Sequence, residues 1–166
     1  MIMTDLHRLG SRFLGITEVA GTMHNPQIVA MLRLDQSWPG GDEVPWCAAF
    51  VNYIAWLLNV PRSRSLAARS WLTIGQTVDL NDAVRGNDVV VFSRGSNPAA
   101  GHVAIFDRLD GPYVYVLGGN QGDSVTIARF PVLQVIGVRR IIPTDSVTRR
   151  VIDGGDHDQQ THSGVD

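Results

Sequence analysis

The chain has 166 residues, of which 44% are hydrophobic and 18% are charged, and its formal net charge is -2 at pH 7. This length and composition are typical of one globular domain with a single hydrophobic core. The small net charge excludes a broad basic surface for nucleic acid or anionic lipid, so we expect neither partner. The sequence has a single cysteine, which excludes an intramolecular disulfide and a metal site built from several cysteines.

The first fifteen residues lack the uninterrupted apolar stretch of a signal peptide, because Asp5, Arg8 and Arg12 interrupt it. No segment of the sequence reaches the ~18 consecutive apolar residues that a membrane span requires. We therefore expect synthesis in the cytoplasm without a signal peptide and no insertion into a membrane. Work outside the cytoplasm then requires another route of export or release.

Two helices are predicted near the start of the chain. Apolar residues at near-helical spacing follow Thr4, a candidate cap, and predict a helix over residues 4–14. Asn25 followed by Pro26 is typical of a helix start, and the apolar residues beyond it predict a second helix over residues 26–34.

A third, central helix is predicted after a loop. Turn-forming and acidic residues dominate positions 36–45, which predicts a loop that ends at Pro45. From Trp46 to Asn59 apolar residues recur three and four positions apart, which predicts a buried helix with Cys47 in its first turn.

The pattern changes to β-branched and alternating runs after Ser70, and short turn-forming segments separate these runs. Helices followed by strands predict an α+β fold with an antiparallel sheet rather than alternating βαβ units. Residues 144–166 are polar and without periodicity, so we expect one domain over 1–143 and a disordered tail over 144–166. The predicted strands are Val89–Phe92, His102–Phe106, Tyr113–Leu117, Val125–Phe130 and Val135–Ile142.

Cys47 and His102 are the candidate catalytic pair. A cysteine attacks as the thiolate, and the N–H groups at a helix start favour that form, so we expect a lowered pKa at Cys47. Histidine is the side chain best suited to act as its base, and His102 opens a predicted strand directly after Gly101. The residues alone leave a structural alternative open: Cys47 as a small core hydrophobe and His102 as a hydrogen-bonded strand residue.

Five ordered blocks of the sequence bear on this choice: Asp42–Asn52, Ala67–Leu72, Gly86–Phe92, Gly101–Ala104 and Leu117–Gln121. They resemble successive motifs of a phage-associated family of cysteine peptidoglycan hydrolases related to the CHAP and NlpC-like peptidases. Segments 14–18 and 21–26 also match, so the resemblance covers roughly residues 10–142. It implies a papain-like fold in which the catalytic helix packs on an antiparallel sheet of five to six strands.

The resemblance implies roles for particular residues. Cys47 corresponds to the nucleophile and His102 to the base, while Asn120 is the best match for the group that orients the imidazole. Asn120 has an alternative role as a turn former, and Gln121 is then the next candidate for orientation. The backbone N–H of Cys47 is the expected donor to the oxyanion.

The implied substrate is peptidoglycan, cut at an amide or peptide bond of the stem peptide by an enzyme that acts on the cell wall as a monomer. The implied substrate contacts are Trp46, Trp71 and Asp42, with Gln121 if it does not orient His102. We expect no cofactor and no metal, because the histidines show no ligand spacing and no calcium loop is present.

Two other functions are compatible with the sequence. A lysozyme-type glycosidase would use Glu18 as its acid, with Asp35 or Asp42 as the second carboxylate. A phage structural or wall-binding protein could keep the fold without turnover. The resemblance favours the hydrolase, and it leaves open an endolysin, a virion lysin or a bacterial effector.

Overall fold

The computed structural model describes residues 4–35 and 45–143. Within these ranges the longest helix has 11 residues, and no helix has the length and apolarity to cross a membrane. The predicted tail over 144–166 and most of the predicted loop over 36–45 lie outside the described residues, so both remain predictions. The α-helices of the described residues are α1 (Leu6–Gly10), α2 (Pro26–Arg33) and α3 (Cys47–Leu57).

The first helix is shorter than the sequence predicts. The side chain of Asp5, rather than Thr4, caps α1 by accepting a hydrogen bond from the N–H of Arg8 at 2.7 Å. Ser11 closes the helix because its hydroxyl donates to the carbonyl of His7 at 2.9 Å, and a 3₁₀ turn follows at Ser11–Phe13. The predicted single helix over 4–14 is therefore wrong in its C-terminal part.

The second and third helices are confirmed close to their predicted bounds. Asn25 caps α2 by accepting from the N–H of Gln27 at 2.9 Å, and Pro26 occupies the first helical position. Helix α3 begins at Cys47 and is nearly apolar all round, which is typical of a helix buried on several sides. It ends two residues before Asn59, which has a positive φ of 54°.

The described strands form one six-stranded antiparallel sheet, which confirms the α+β class. All five predicted strands are present, and a three-residue strand that was not predicted is added at one edge. The strands are β1 (Gln76–Val78), β2 (Asp88–Ser93), β3 (Gly101–Asp110), β4 (Tyr113–Gly118), β5 (Thr126–Pro131) and β6 (Val135–Arg140). The last strand, β6, lies between β1 and β2, so the spatial order is β1-β6-β2-β3-β4-β5.

The sheet separates two apolar clusters because successive strand residues point to opposite faces. Val91 and Val103 pack with the helices on one face, whereas Phe92 belongs to the cluster on the other face. His102 lies opposite Phe92 in the register of β2 and β3, and its ring packs near the ring of Phe92. The imidazole therefore lies on the sheet face away from the core of α3.

Helix α3 approaches the end of β4 closely at Gly119. A Cβ atom at Gly119 would lie 2.5 Å from a ring carbon of Trp46 and 2.7 Å from the Cβ of Phe50. Gly118 is equally confined, since a Cβ there would lie 2.6 Å from the side-chain oxygen of Gln121. The two glycines thus let the start of α3 and the side chain of Gln121 meet at this end of the sheet.

We predict that Gly119→Ala destabilises the fold, by about 1–3 kcal/mol, because the added methyl group overlaps the ring of Trp46 and the Cβ atom of Phe50. Chemical denaturation of the two proteins gives the difference in unfolding free energy. An unchanged denaturation midpoint would show that α3 does not pack against Gly119 at this distance.

Candidate active site

Cys47 is the first residue of α3 and is almost buried, with 5% of its surface exposed. The backbone N–H groups of Val103 and Ala48 lie near its sulfur, where they favour the thiolate and act to lower its pKa. Trp46 holds the start of the helix in place, since its indole N–H donates to the carboxylate of Glu18 at 2.6 Å. The thiol is thereby held beside the residue that directly follows His102.

The open side of β3 makes this contact available. Strands β3 and β4 pair only from Ile105 opposite Leu117 onward, and β4 ends at Gly118. At residues 101–104 the side of β3 that faces β4 therefore has no strand partner, and the N–H of Val103 lies near the thiol of Cys47.

His102 is held by aromatic rings and is 7% exposed. Its imidazole stacks on Phe130 with the ring centres 5.1 Å apart and an angle of 30° between the planes. Phe92 lies on the same sheet face, with its ring centre 6.0 Å from that of His102. These contacts fix the plane of the imidazole and keep water from most of its surface.

Gln121 determines which nitrogen of His102 carries the proton. The amide nitrogen of Gln121 donates to the carbonyl of Thr126 at 2.7 Å, so the amide oxygen faces His102. This oxygen lies 2.9 Å from Nε2 of His102. Because an amide oxygen can only accept, Nε2 carries the hydrogen and Nδ1 is left with its lone pair free to act as a base.

The preference for Asn120 over Gln121 as the orienting residue needs correction. The hydrogen bond to His102 comes from Gln121, the second candidate, and not from Asn120. Asn120 has a positive φ of 55°, which fits the alternative role of a turn former. It also lies in the wall of the cavity beside His102, so the structure keeps it close to the site.

The ionisation of the pair also differs from the expectation. Burial raises the pKa of the Cys47 thiol, although the N–H groups of Val103 and Ala48 and the charge of Arg94 oppose this shift. Burial lowers the pKa of His102 to about 4, partly opposed by the hydrogen bond to Gln121. The expected lowered pKa at Cys47 is therefore wrong. At neutral pH the pair rests as a thiol and a neutral imidazole.

A cavity of about 300 Å³ opens beside the imidazole. Its apolar floor comes from two phenylalanines, and its remaining wall is polar, with one arginine and no carboxylate. The lining includes His102 and Gln121 but not Cys47, so the cavity reaches the site from the side of the imidazole. The lining residues are Phe92, Ser93, Arg94, Gly95, His102, Asn120, Gln121, Gly122, Phe130 and Gln134.

The two tryptophans expected to contact substrate are core residues. Trp46 and Trp71 are both 0% exposed, so the prediction that they line a groove is wrong. Asp42 lies outside the described residues, and its expected role stays a prediction. In residues 4–35 and 45–143, no three His, Cys, Asp or Glu side chains come together to form a metal site.

The residues that surround the imidazole of His102 carry no motif that the sequence alone reveals. Phe92 follows from strand alternation once the register of β2 and β3 is known, because it lies opposite His102. Phe130 required the additional knowledge that β5 pairs with β4. Arg94 lies in a loop without any motif, and no sequence signal pointed to it.

A helix that begins at a cysteine and packs on an antiparallel sheet, with a histidine at the start of one strand, is the arrangement of the papain-like fold. Residues 39–120 match the CHAP domain family, so this part of the chain is similar to CHAP domains. A comparison with curated proteins gives no match.

Solved structures of the NlpC/P60 type share the fold. NlpC1 from Trichomonas vaginalis has 15% identity and a TM-score of 0.51, covering 84% of this chain and 45% of that one. An NlpC/P60 family protein from Bacillus cereus has 18% identity and a TM-score of 0.50, with 84% and 40% covered. The peptidoglycan hydrolase RipB from Mycobacterium tuberculosis has 18% identity and a TM-score of 0.51, with 83% and 63% covered. The chain thus spans less than two thirds of each of these proteins.

We predict that Gln121→Ala changes the tautomer of His102, because the amide oxygen that selects the Nε2–H form is lost. Nitrogen-15 chemical shifts of the imidazole report the tautomer directly. Asn120→Gly is the matched control and keeps the Nε2–H form, since glycine tolerates the positive φ of this turn. A tautomer change in the Asn120 variant alone would restore Asn120 as the orienting residue.

We predict that the protein loses stability as the pH falls from about 6.5 towards about 4. In this range the unfolded chain binds a proton at His102 that the folded protein does not bind, because the folded pKa is about 4. His102→Phe flattens this part of the pH dependence, measured by urea denaturation at several pH values. The control, His7→Phe, removes a second histidine whose pKa burial also lowers, and it leaves the His102 contribution in place. A His102 variant with the full wild-type slope would contradict the assignment.

Proposed function

We propose that this protein is a peptidoglycan hydrolase that cuts an amide or peptide bond of the stem peptide with Cys47 as nucleophile and His102 as base. The observation that carries the proposal is the hydrogen bond from His102 to Gln121, on a strand whose next residue, Val103, lies near the Cys47 thiol at the start of α3. The CHAP match supports it, as does the shared fold with RipB, a protein described as a peptidoglycan hydrolase.

The first half of the reaction forms an acyl-enzyme. Nδ1 of His102 takes the proton of the Cys47 thiol while the sulfur attacks the carbonyl carbon of the scissile bond. The negative charge moves to the carbonyl oxygen, where the N–H of Cys47 at the start of α3 is the nearest fixed donor. The imidazolium then protonates the leaving amine, and the C–N bond breaks to leave a thioester on Cys47.

The second half regenerates the thiol. Neutral His102 removes a proton from a water molecule, and the resulting hydroxide attacks the thioester carbon. The C–S bond breaks, the sulfur regains the proton from His102, and the product leaves as a carboxylic acid. Gln121 serves both halves as a positioning residue, since the same tautomer must accept a proton at Nδ1 each time.

The bond that is cut defines the type of enzyme. Cleavage between N-acetylmuramic acid and L-Ala would make the protein an amidase, whereas cleavage within the stem or the cross-link would make it an endopeptidase. Either reaction takes place at the bacterial cell wall. The resemblance is compatible with three biological settings: an endolysin, a virion lysin or a bacterial effector.

The positions of the acidic residues disfavour a glycosidase. Glu18 accepts from the indole of Trp46, directly before the start of α3. Asp35 forms a salt bridge with Arg62, which follows the end of the same helix. The contacts of Glu18 and Asp35 are therefore structural.

We predict that Cys47→Ala abolishes hydrolysis of purified peptidoglycan and leaves the melting temperature close to that of the wild type, because the exchange removes one sulfur atom from a small side chain. Mass spectrometry of the digest identifies the bond, since new amino groups mark amide or peptide cleavage and new reducing ends mark glycosidic cleavage. The structural control is Ser96→Ala, an exposed residue outside the cavity lining. Undiminished digestion by the Cys47 variant would refute the proposed function.

A further inference from the structure

The first residues of β3 are paired with another strand on one side only. They pair with β2, but the pairing with β4 begins only at Ile105. The loop residues 94–99, which precede the strand, are exposed. The position of His102 therefore depends on what else holds this end of the strand.

The side chain of Arg69 holds this end of the strand. Its Nε–H group donates to the carbonyl of Ala100 at 2.9 Å, directly before the strand begins at Gly101. Gly101 leaves room for the arginine, since a Cβ atom there would lie only 3.3 Å from the Cγ atom of Arg69. The methylene groups of Arg69 thus lie against the start of β3, while its Nε–H group fixes the backbone that leads into His102.

The segment that carries Arg69 is itself packed against α3. Arg69 lies in a short 3₁₀ helix at Ala68–Thr73. Ala68 and Trp71 of this helix are buried in the same apolar cluster as the residues of α3. The arginine therefore extends from a fixed part of the core and not from a loose loop.

Asn52 ties the segment before this 3₁₀ helix to α3. Its buried side chain accepts from the N–H of Ser63 at 3.0 Å and donates to the carbonyl of Ser65 at 3.0 Å. Asn52 belongs to the helix that begins at Cys47 and lies little more than one turn beyond it. A continuous series of contacts therefore connects the helix of the nucleophile, through Asn52 and Arg69, to the strand of the base.

We propose that Arg69 is a positioning residue of the hydrolase, whose hydrogen bond to Ala100 holds the start of β3 so that His102 and the N–H of Val103 keep their places beside Cys47. This inference rests on the proposed function, to which it adds a residue outside the catalytic pair. The partner of Arg69 is a neutral carbonyl, so the contact requires a donor at the position of Nε and does not require a charge.

Two substitutions separate the hydrogen bond from the charge. Arg69→Gln keeps an N–H donor at the same number of bonds from Cα as Nε and removes the charge, whereas Arg69→Met keeps the length of the chain and removes both. We expect Arg69→Met to lower kcat by about 10-fold or more at an unchanged KM, because a displaced base impairs the reaction step and not binding. Arg69→Gln should retain most of the wild-type kcat. Initial rates of amino-group release from soluble peptidoglycan fragments at several concentrations give both constants.

Alkylation of Cys47 by iodoacetamide tests the same inference without turnover. The chain has a single cysteine, so the reaction reports this thiol alone. The N–H of Val103 favours the thiolate, which is the reacting form. We therefore expect Arg69→Met to slow alkylation by about 3-fold or more at about pH 8. A general loosening of the fold would expose the buried thiol and accelerate the reaction instead.

Arg139→Met is the matched control. Nε of Arg139 also donates to a backbone carbonyl, that of Ile74 at 2.7 Å, and both arginines are half-buried. Neither Arg139 nor Ile74 lines the cavity beside His102. We expect this variant to lose melting temperature to a similar extent as Arg69→Met and to keep the wild-type kcat and alkylation rate.

Three results would overturn the inference: unchanged kcat and alkylation in Arg69→Met, faster alkylation in this variant, or equal losses of kcat in Arg69→Met and Arg69→Gln. Failure of the wild-type protein to cut peptidoglycan would instead refute the proposed function. The alkylation rates would still decide whether Arg69 positions the strand beside Cys47, because they do not depend on turnover.

Discussion

The close packing of α3 against the end of β4 is the constraint on which the rest of the site depends. Gly119 has no side chain, so Trp46 and Phe50 can approach the chain there within van der Waals distance. This approach brings Cys47 to the open side of β3, near the N–H of Val103. A larger residue at this one position would move Cys47 away from the strand that carries His102.

Burial shifts the pKa values of Cys47 and His102 in opposite directions. It raises the pKa of Cys47 and lowers that of His102, so both groups are uncharged in the resting protein at neutral pH. An uncharged thiol is less nucleophilic than a thiolate. The hydrogen bond that His102 donates from Nε2 to the amide oxygen of Gln121 leaves Nδ1 unprotonated, so the imidazole keeps one nitrogen that can accept a proton.

The two faces of the sheet contribute separately to the site. The helix face provides Cys47 and a tightly packed core, while the opposite face provides the rings of Phe92 and Phe130 that hold His102. The cavity with Arg94 opens on this second face.

The sequence by itself determined the α+β class, the second and third helices and the five main strands, because these depend on local periodicity and on caps such as Asn25. It also placed Cys47 at a helix start, since a helix start is a local feature. Only the tertiary structure decided that Gln121 contacts His102 and that Trp46 is buried. Both depend on which chain segments meet across the sheet. Asn120 and Gln121 are neighbours in a turn, and the backbone angles of that turn decide which of the two side chains points towards His102. The charge of the Cys47 thiol was misjudged for the same reason: the helix start is visible in the sequence, whereas the burial that outweighs it is a property of the assembled fold.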